Sequence, residues 1–290
     1  AWTARNISTS ADGATSVHAA DVDGDGDMDV ISASHLDDTI AWYENKGGSP
    51  ISWTAHTLST TADWAISVHA ADVDGDGDLD VMSASAVDHT ITWYENITIH
   101  RSALFPTEAN IATNADGATA VYAADVDGDG DREVIVASDA GSLYVWDHTD
   151  TDSDGEADLH SSRYPVAIDG PATSTPVAAD FDAGDGLEVA VASGGGQLVL
   201  VSGDGEHVAS SPYSFGHLVL EDVCLAAGDL DGDGLCELVT TTTNHGWVAA
   251  LNADGTSVPG WPVAVGDWEK RTATLAVGDL DRGADGRPEV

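Results

Sequence analysis

Apolar and polar residues alternate with a period of two over short stretches of this chain, and Gly or Asp breaks the pattern every few residues. Residues 66–71 lead into an Asp/Gly run and residues 81–85 leave it. A turn at Ala86-Val87-Asp88-His89 follows, and residues 90–94 alternate again. A fourth stretch is plainest at Trp53-Thr54-Ala55-His56-Thr57-Leu58. Side chains of a strand point alternately to its two faces, so each stretch predicts a half-buried β-strand. Helical periodicity is nearly absent; the chain holds only two Lys and few long aliphatic runs.

The Asp/Gly run recurs. It reads Asp21-Val22-Asp23-Gly24-Asp25-Gly26-Asp27-Met28-Asp29, then Asp72-Val73-Asp74-Gly75-Asp76-Gly77-Asp78-Leu79-Asp80, then Asp125-Val126-Asp127-Gly128-Asp129-Gly130-Asp131-Arg132-Glu133. A fourth close copy holds Asp229, Asp231, Asp233, Leu235 and Glu237, and two looser ones start at Asp180 and Asp279. The first Asp of each run falls at 21, 72, 125, 180, 229 and 279, a spacing of 51, 53, 55, 49 and 50 residues. Four antiparallel strands per period of this length is the unit of a β-propeller blade. The fold class expected is therefore all-β, a propeller of four-stranded blades spanning 1–290 as one domain. Six repeats are visible, the last incomplete at Val290, and seven are expected in the full protein. Residues 2–7 imitate the fourth strand at Trp53 and are expected to close the ring.

Carboxylates at positions 1, 3, 5 and 9 of a tight turn would repel one another unless a hard cation gathered them, and oxygen-only donors select calcium. Glycine at position 6 lets the backbone reverse. Position 12 is Ser32, Ser83, Val136 or Thr240 rather than Glu, and the flanks are strands, so the run is not an EF-hand. The candidate ligands are the acids of the three runs quoted above together with Asp229, Asp231, Asp233, Leu235 and Glu237. The looser copies add Asp180, Asp182, Asp185 and Glu188, and Asp279, Asp281, Asp285 and Glu289. Asp150, Asp152, Asp154, Glu156 and Asp158 repeat the spacing in an insertion between the third and fourth strands of a blade. About four to seven calcium ions are expected.

The pattern Ala-Ala-Asp-Val-Asp-Gly-Asp-Gly-Asp-x-Asp-Val-x-x-Ala-Ser resembles the FG-GAP-like (VCBS-type) repeats related to the propeller of integrin α-subunits. The resemblance implies a propeller, usually seven-bladed, with calcium on its hairpin loops. The Phe-Gly and Gly-Ala-Pro signatures of the integrin repeats are missing. Blade geometry puts the metal loops on one face with the third-to-fourth connections. The lead-in loops before each first strand and the second-to-third turns share the other face; the resemblance implies that ligands meet this face or the central channel.

Charge narrows the function. Fifty-one acids against nine Lys+Arg give a formal net charge of −42, which excludes unaided binding to nucleic acid or an anionic membrane. No apolar run is long enough for membrane insertion. Scarce cysteine beside calcium loops suits a secreted chain; Cys224 and Cys236 either pair or stay free. Asn6 and Asn96 head glycosylation sequons. On the lead-in face Trp64 stands where the sister repeats have Gly13 and Gly117, and Trp268 occupies a similar loop beside Lys270 and Arg271. Either ring serves sugar stacking or a partner, or folds over its own blade. His35 and His89 beside the acids of the second-to-third turns are explained as turn residues before zinc ligands or general bases, and His18 and His69 at equivalent first-strand positions point to packing or a strand-surface role. No nucleophile elbow, phosphate loop or Cys/His cluster appears. The expected function is an extracellular or cell-surface calcium-stabilised propeller, not an enzyme, for adhesion, recognition or assembly with a protein or glycan partner. Self-assembly, filaments included, through an incomplete blade edge is a further expectation. The alternatives are a carbohydrate-binding lectin and a polysaccharide lyase or hydrolase; the latter calls for a basic groove that nine bases do not supply.

Overall fold

The computed structural model describes residues 4–98, 103–106, 108–154, 156–184, 186–208, 211–214, 223–242, 247–264, Leu275 and Val277. Trp268, Asp185, Asp279, Asp281, Asp285 and Glu289 lie outside them, as does the start of the expected closing strand at Trp2; residues 4–10 of that stretch form no strand. No helix occurs among the described residues.

The first sheet takes β1 (Ala14–Ala20), β2 (Asp29–Ser34), β3 (Thr39–Asn45) and β4 (Trp53–Ser59) in sequence order. The second takes β5 (Ala65–Ala71), β6 (Asp80–Ser85), β7 (Thr90–Tyr94) and β8 (Glu108–Ala112) in the same way. A third is built from β9 (Ala118–Ala124), β10 (Glu133–Ser138), β11 (Ser142–Trp146) and β12 (Val166–Ala167). The fourth holds β13 (Val177–Ala179), β14 (Glu188–Ser193), β15 (Gln197–Ser202) and β16 (Tyr213–Ser214). The fifth holds β17 (Leu225–Gly228), β18 (Glu237–Thr242), β19 (Trp247–Leu251) and β20 (Val263–Ala264). Each is a four-stranded antiparallel meander, the blade of a β-propeller. The insertion carrying Asp150–Asp158 leaves between β11 and β12, as its place in the sequence predicts.

The chain divides into two compact units: Ala1–Ala123 with Asp131–Val134 and Trp146–Asp158, and Ala124–Gly130 with Ile135–Val145 and Leu159–Val290. In the first unit Ile31, Ala33, Ile40 and Trp42 of one sheet pack with Ala65, Val68, Ala70, Val81 and Tyr94 of the next. The second unit repeats the arrangement, with Ala190, Ala192, Leu198 and Leu200 packed with Leu238 and Leu251. Among the second strands, β6, β10 and β14 are buried along their whole length. Small residues such as Ser83 and Ala84 keep these middle strands thin enough for neighbouring sheets to close on them. Each fully buried Ile or Leu contributes about 1.5–3 kcal/mol.

Candidate metal centres

Each run that starts at Asp21, Asp72, Asp180 or Asp229 bridges the first and second strands of a blade. Its ninth residue pairs across the ladder with the residue before its first: Ala20 with Asp29, Ala71 with Asp80, Ala179 with Glu188, and Gly228 with Glu237. Three kinds of side chain divide the work inside the loop.

The acids at positions 1, 3 and 5 shape the turn by accepting backbone N–H groups. In the first loop Asp21 Oδ2 accepts from Gly26 at 3.0 Å, Asp23 Oδ1 from Asp25 at 3.2 Å, and Asp25 Oδ1 from Asp27 at 2.9 Å. In the second, Asp72 Oδ2 accepts from Gly77 at 3.1 Å, Asp74 Oδ1 from Asp76 at 3.3 Å and Asp76 Oδ1 from Asp78 at 3.0 Å. The loop at Asp229 repeats the set through Gly234, Asp233 and Leu235, so Leu235 enters it through its N–H. The third loop lies where the two units divide; within its Ala124–Gly130 part, Asp125 accepts from Gly128 and Asp127 from Asp129.

The second position is apolar and turns inward: Val22, Val73, Val126 and Phe181 are buried. Position 9 is a latch. Asp29, wholly buried, accepts the Val22 N–H on Oδ2 at 3.1 Å and the Asn45 N–H on Oδ1 at 2.7 Å. Asp80 does the same with Val73 at 3.1 Å and Asn96 at 2.8 Å. Glu188 takes Phe181 and Asp182, and Glu237 takes Leu230. Burial pushes the Asp80 carboxyl up to about 7, and also raises Asp23, Asp74, Glu188 and Glu237.

Carboxylate oxygens of Asp21, Asp23 and Asp29 lie within 4.8 Å of one another, as do those of Asp72, Asp74 and Asp76, and those of Asp150, Asp152 and Asp158. These clusters could hold metal ions. Asp21 Oδ1 and Asp72 Oδ1 are buried without a hydrogen-bond partner, while the second oxygen of each carboxylate is engaged. A buried carboxylate oxygen left bare is costly, and a cation among three such groups removes that cost. The residues present therefore fit a hard divalent ion. Asp27 faces the third-to-fourth connection, with its Oδ2 at 3.2 Å from where a Cβ on Gly47 would sit. In the inserted loop Glu156 accepts from Thr113 of the neighbouring β8 connection, and so ties the insertion to its own unit. In the fourth loop Asp182 caps Gly184, which stands where the other loops have an acid.

Asn45 and Asn96 were not legible as part of this machinery. Beyond giving its N–H to the latch, Asn45 donates its amide to the Met28 carbonyl. Asn96 donates to Val22 and Leu79 and accepts from Thr98 and Leu104. The repeated Trp-Tyr-Glu-Asn ending was the available signal. This corrects the glycosylation reading of Asn96, a residue only 1% exposed and closed to a glycan in the folded chain; Asn6 is exposed. Cys224 and Cys236 are free thiols.

On the other face the lead-in loops hydrogen-bond to the second-to-third turns. His35 and Leu36 donate to Gly13 and Asp12; Ala86 and Val87 donate to Trp64 and Asp63. His35 Nδ1 lies 2.6 Å from the Gly13 carbonyl, and His89 Nδ1 accepts the Gly117 N–H at 3.2 Å. Both imidazoles thus serve the turns. Trp64 has φ 60°, close to the 68° of Gly13 and 65° of Gly117, a conformation that costs a side-chain-bearing residue about 1–2 kcal/mol. Its ring leans on His35, with centroids 4.7 Å apart. His18, His69 and Tyr122 form a row of rings along adjacent first strands, at 4.6 and 4.9 Å, and burial drives His69 down to about 3. Trp42 stacks on His56 inside the blade packing.

The sequence matches the FG-GAP-like repeat family over residues 21–83 and 73–136. No curated protein matches the chain. Among solved structures it is similar to BBS1N in complex with ARL6DN. With mercury-soaked crystals the identity is 13%, the coverage 97% of this chain and 75% of that one, and the TM-score 0.56. With lead-soaked crystals the identity is again 13%, the coverage 89% and 70%, and the TM-score 0.54. The V. cholerae biofilm matrix protein Bap1 is 17% identical with a TM-score of 0.53; the match covers 91% of this chain and 41% of Bap1. At these identities the likeness is one of fold. Repeat match, loop spacing and four-stranded sheets agree: residues 21–136 match FG-GAP-like repeats, and the described sheets have the four-stranded form of β-propeller blades.

Proposed function

We propose that the protein is an extracellular, calcium-stabilised binding module whose work is adhesion, recognition or assembly rather than catalysis. One observation carries the calcium reading: the bare, buried Oδ1 atoms of Asp21 and Asp72 in carboxylate-only clusters. Oxygen donors without His or Cys favour calcium over zinc or copper. The ion would supply positive charge among the acids. The chain supplies the rest: position-1 acids hold the glycine N–H, the latch closes the hairpin, and the second-position side chain anchors the loop in the core.

Support for a binding role comes from a strongly acidic surface, which suits a partner rather than an anionic substrate. Bap1 being a biofilm matrix protein and BBS1N being crystallised with ARL6DN are compatible with it. The test is calorimetric titration with calcium of the wild type and of Asp21→Asn and Asp72→Asn. Each substitution keeps the shape but removes the charge at the bare oxygen, and each should lower the calcium stoichiometry by one. Unchanged stoichiometry in both overturns the reading.

A further inference from the structure

The lead-in face of the first unit carries an apolar patch that the metal loops do not explain. Leu36, Trp64 and Val87 are 60%, 45% and 53% exposed. They belong to one hydrogen-bonded belt. Leu36 N–H goes to Asp12, Trp64 N–H to Asp38 Oδ1 at 3.1 Å, and Val87 N–H to Asp63. The backbone does not ask for an indole here, because the sister repeats fill the same left-handed position with Gly13 and Gly117. Nor is the ring loose: it leans on His35.

Carboxylates rim the patch. Asp37 caps the Asp12 N–H, Asp88 caps the Asp63 N–H, and Asp38 caps Trp64. Residues 6–100 contain a single Lys or Arg, Lys46, which pairs with Glu44 and joins the third-to-fourth connection on the metal-loop side. The belt therefore couples exposed apolar area to a rim of carboxylates.

We propose that Leu36, Trp64 and Val87, with the rim of Asp37, Asp38, Asp63 and Asp88, form the docking surface for a protein partner's segment in which an apolar side chain is flanked by Lys or Arg. This rests on the binding reading above and names its partner chemistry. Charge complementarity selects the occupant: the apolar residue packs between the indole and the aliphatics, and the bases meet the carboxylates and speed encounter.

The test pans a phage-displayed library of random linear peptides on the calcium-loaded protein, with Trp64→Gly as the counter-target. Enriched peptides are then synthesised and titrated. Trp64→Gly restores the residue of the sister repeats and should fold; Val87→Lys is the second variant, placing a positive charge in the patch without touching the loop backbone. Peptides pairing Lys or Arg with an aliphatic or aromatic residue should emerge. Their affinity should fall at least ~10-fold on either substitution and weaken with added salt. Basic–apolar peptides failing to emerge, or binding both variants as well as wild type, overturns the proposal. So does a glycan array whose signal is lost on Trp64→Gly while no peptide binds. Calcium-dependent melting of the same samples keeps the two readings apart: a protein that ignores calcium yet binds such peptides sinks the first and leaves the second standing.

Discussion

Replacing Asp80 by Ala separates the two jobs that the acidic loops perform. Asp80 is 0% exposed, and its two oxygens accept the Val73 and Asn96 N–H groups at 3.1 and 2.8 Å. Removing the carboxylate strands two buried donors, each costing about 1–3 kcal/mol. The sum, about 2–6 kcal/mol, is a large part of a domain's total of about 5–15 kcal/mol. This penalty belongs to the polypeptide, so it should persist in excess chelator. Asp76→Ala in the same loop is the control. Asp76 is exposed and caps only the Asp78 N–H, so in chelator its loss should cost about 0.5–1.5 kcal/mol. With calcium present it removes a ligand and its penalty should grow. Urea unfolding followed by tryptophan fluorescence, with calcium and with chelator, reads all four differences. If Asp80→Ala lies within about 1 kcal/mol of wild type in chelator, position 9 is only a metal ligand and the latch is wrong.

Chelation of the wild type should lower its melting temperature, since each site saturated at 100 times its dissociation constant adds about 2.7 kcal/mol; an unchanged thermal melt refutes the calcium staple. Without metal, Asp80 sits at about 7 against an ordinary 3.8, so the folded chain keeps a proton that the unfolded chain releases. Its contribution to stability is then lost as pH rises from about 4 to about 7. The gap between wild type and Asp80→Ala in chelator should narrow between about pH 4 and about pH 7; comparing the two cancels the opposite contribution of His69. A gap that widens contradicts the sign. Phe181→Ala, at a second loop position only 1% exposed, should cost about 3–5 kcal/mol in thermal unfolding, and a loss below about 1 kcal/mol would show that the loop is not anchored there. Gly77→Ala has open space around the new Cβ and should cost about 1–2 kcal/mol for φ +98° alone. Gly186→Ala drives its Cβ to 2.5 Å from the Val126 carbonyl and should cost clearly more; equal penalties in denaturant titration would mean the contact relaxes freely.

Strand positions and loop identity are local properties, and the sequence by itself determined them. Alternation in 66–71, 81–85 and 90–94 foretold β5, β6 and β7 to within a residue because a half-buried strand needs that period. The acids of the first two loops were legible as metal candidates because electrostatics allows few other reasons to crowd them. What each acid does was decided only by tertiary structure. Asp23 and Asp29 are both Asp of one acidic run, yet one caps the turn and the other grips Asn45, 16 residues away. Sequence spacing cannot show which backbone N–H arrives from the third strand. The same holds for Asn96, a sequon in one dimension and a buried clamp in three, and for Glu156, drawn from its loop to Thr113. Trp64 lay between: its identity marked it as unneeded by the turn, but only the packing of neighbouring turns set its ring against His35 and left the other side open.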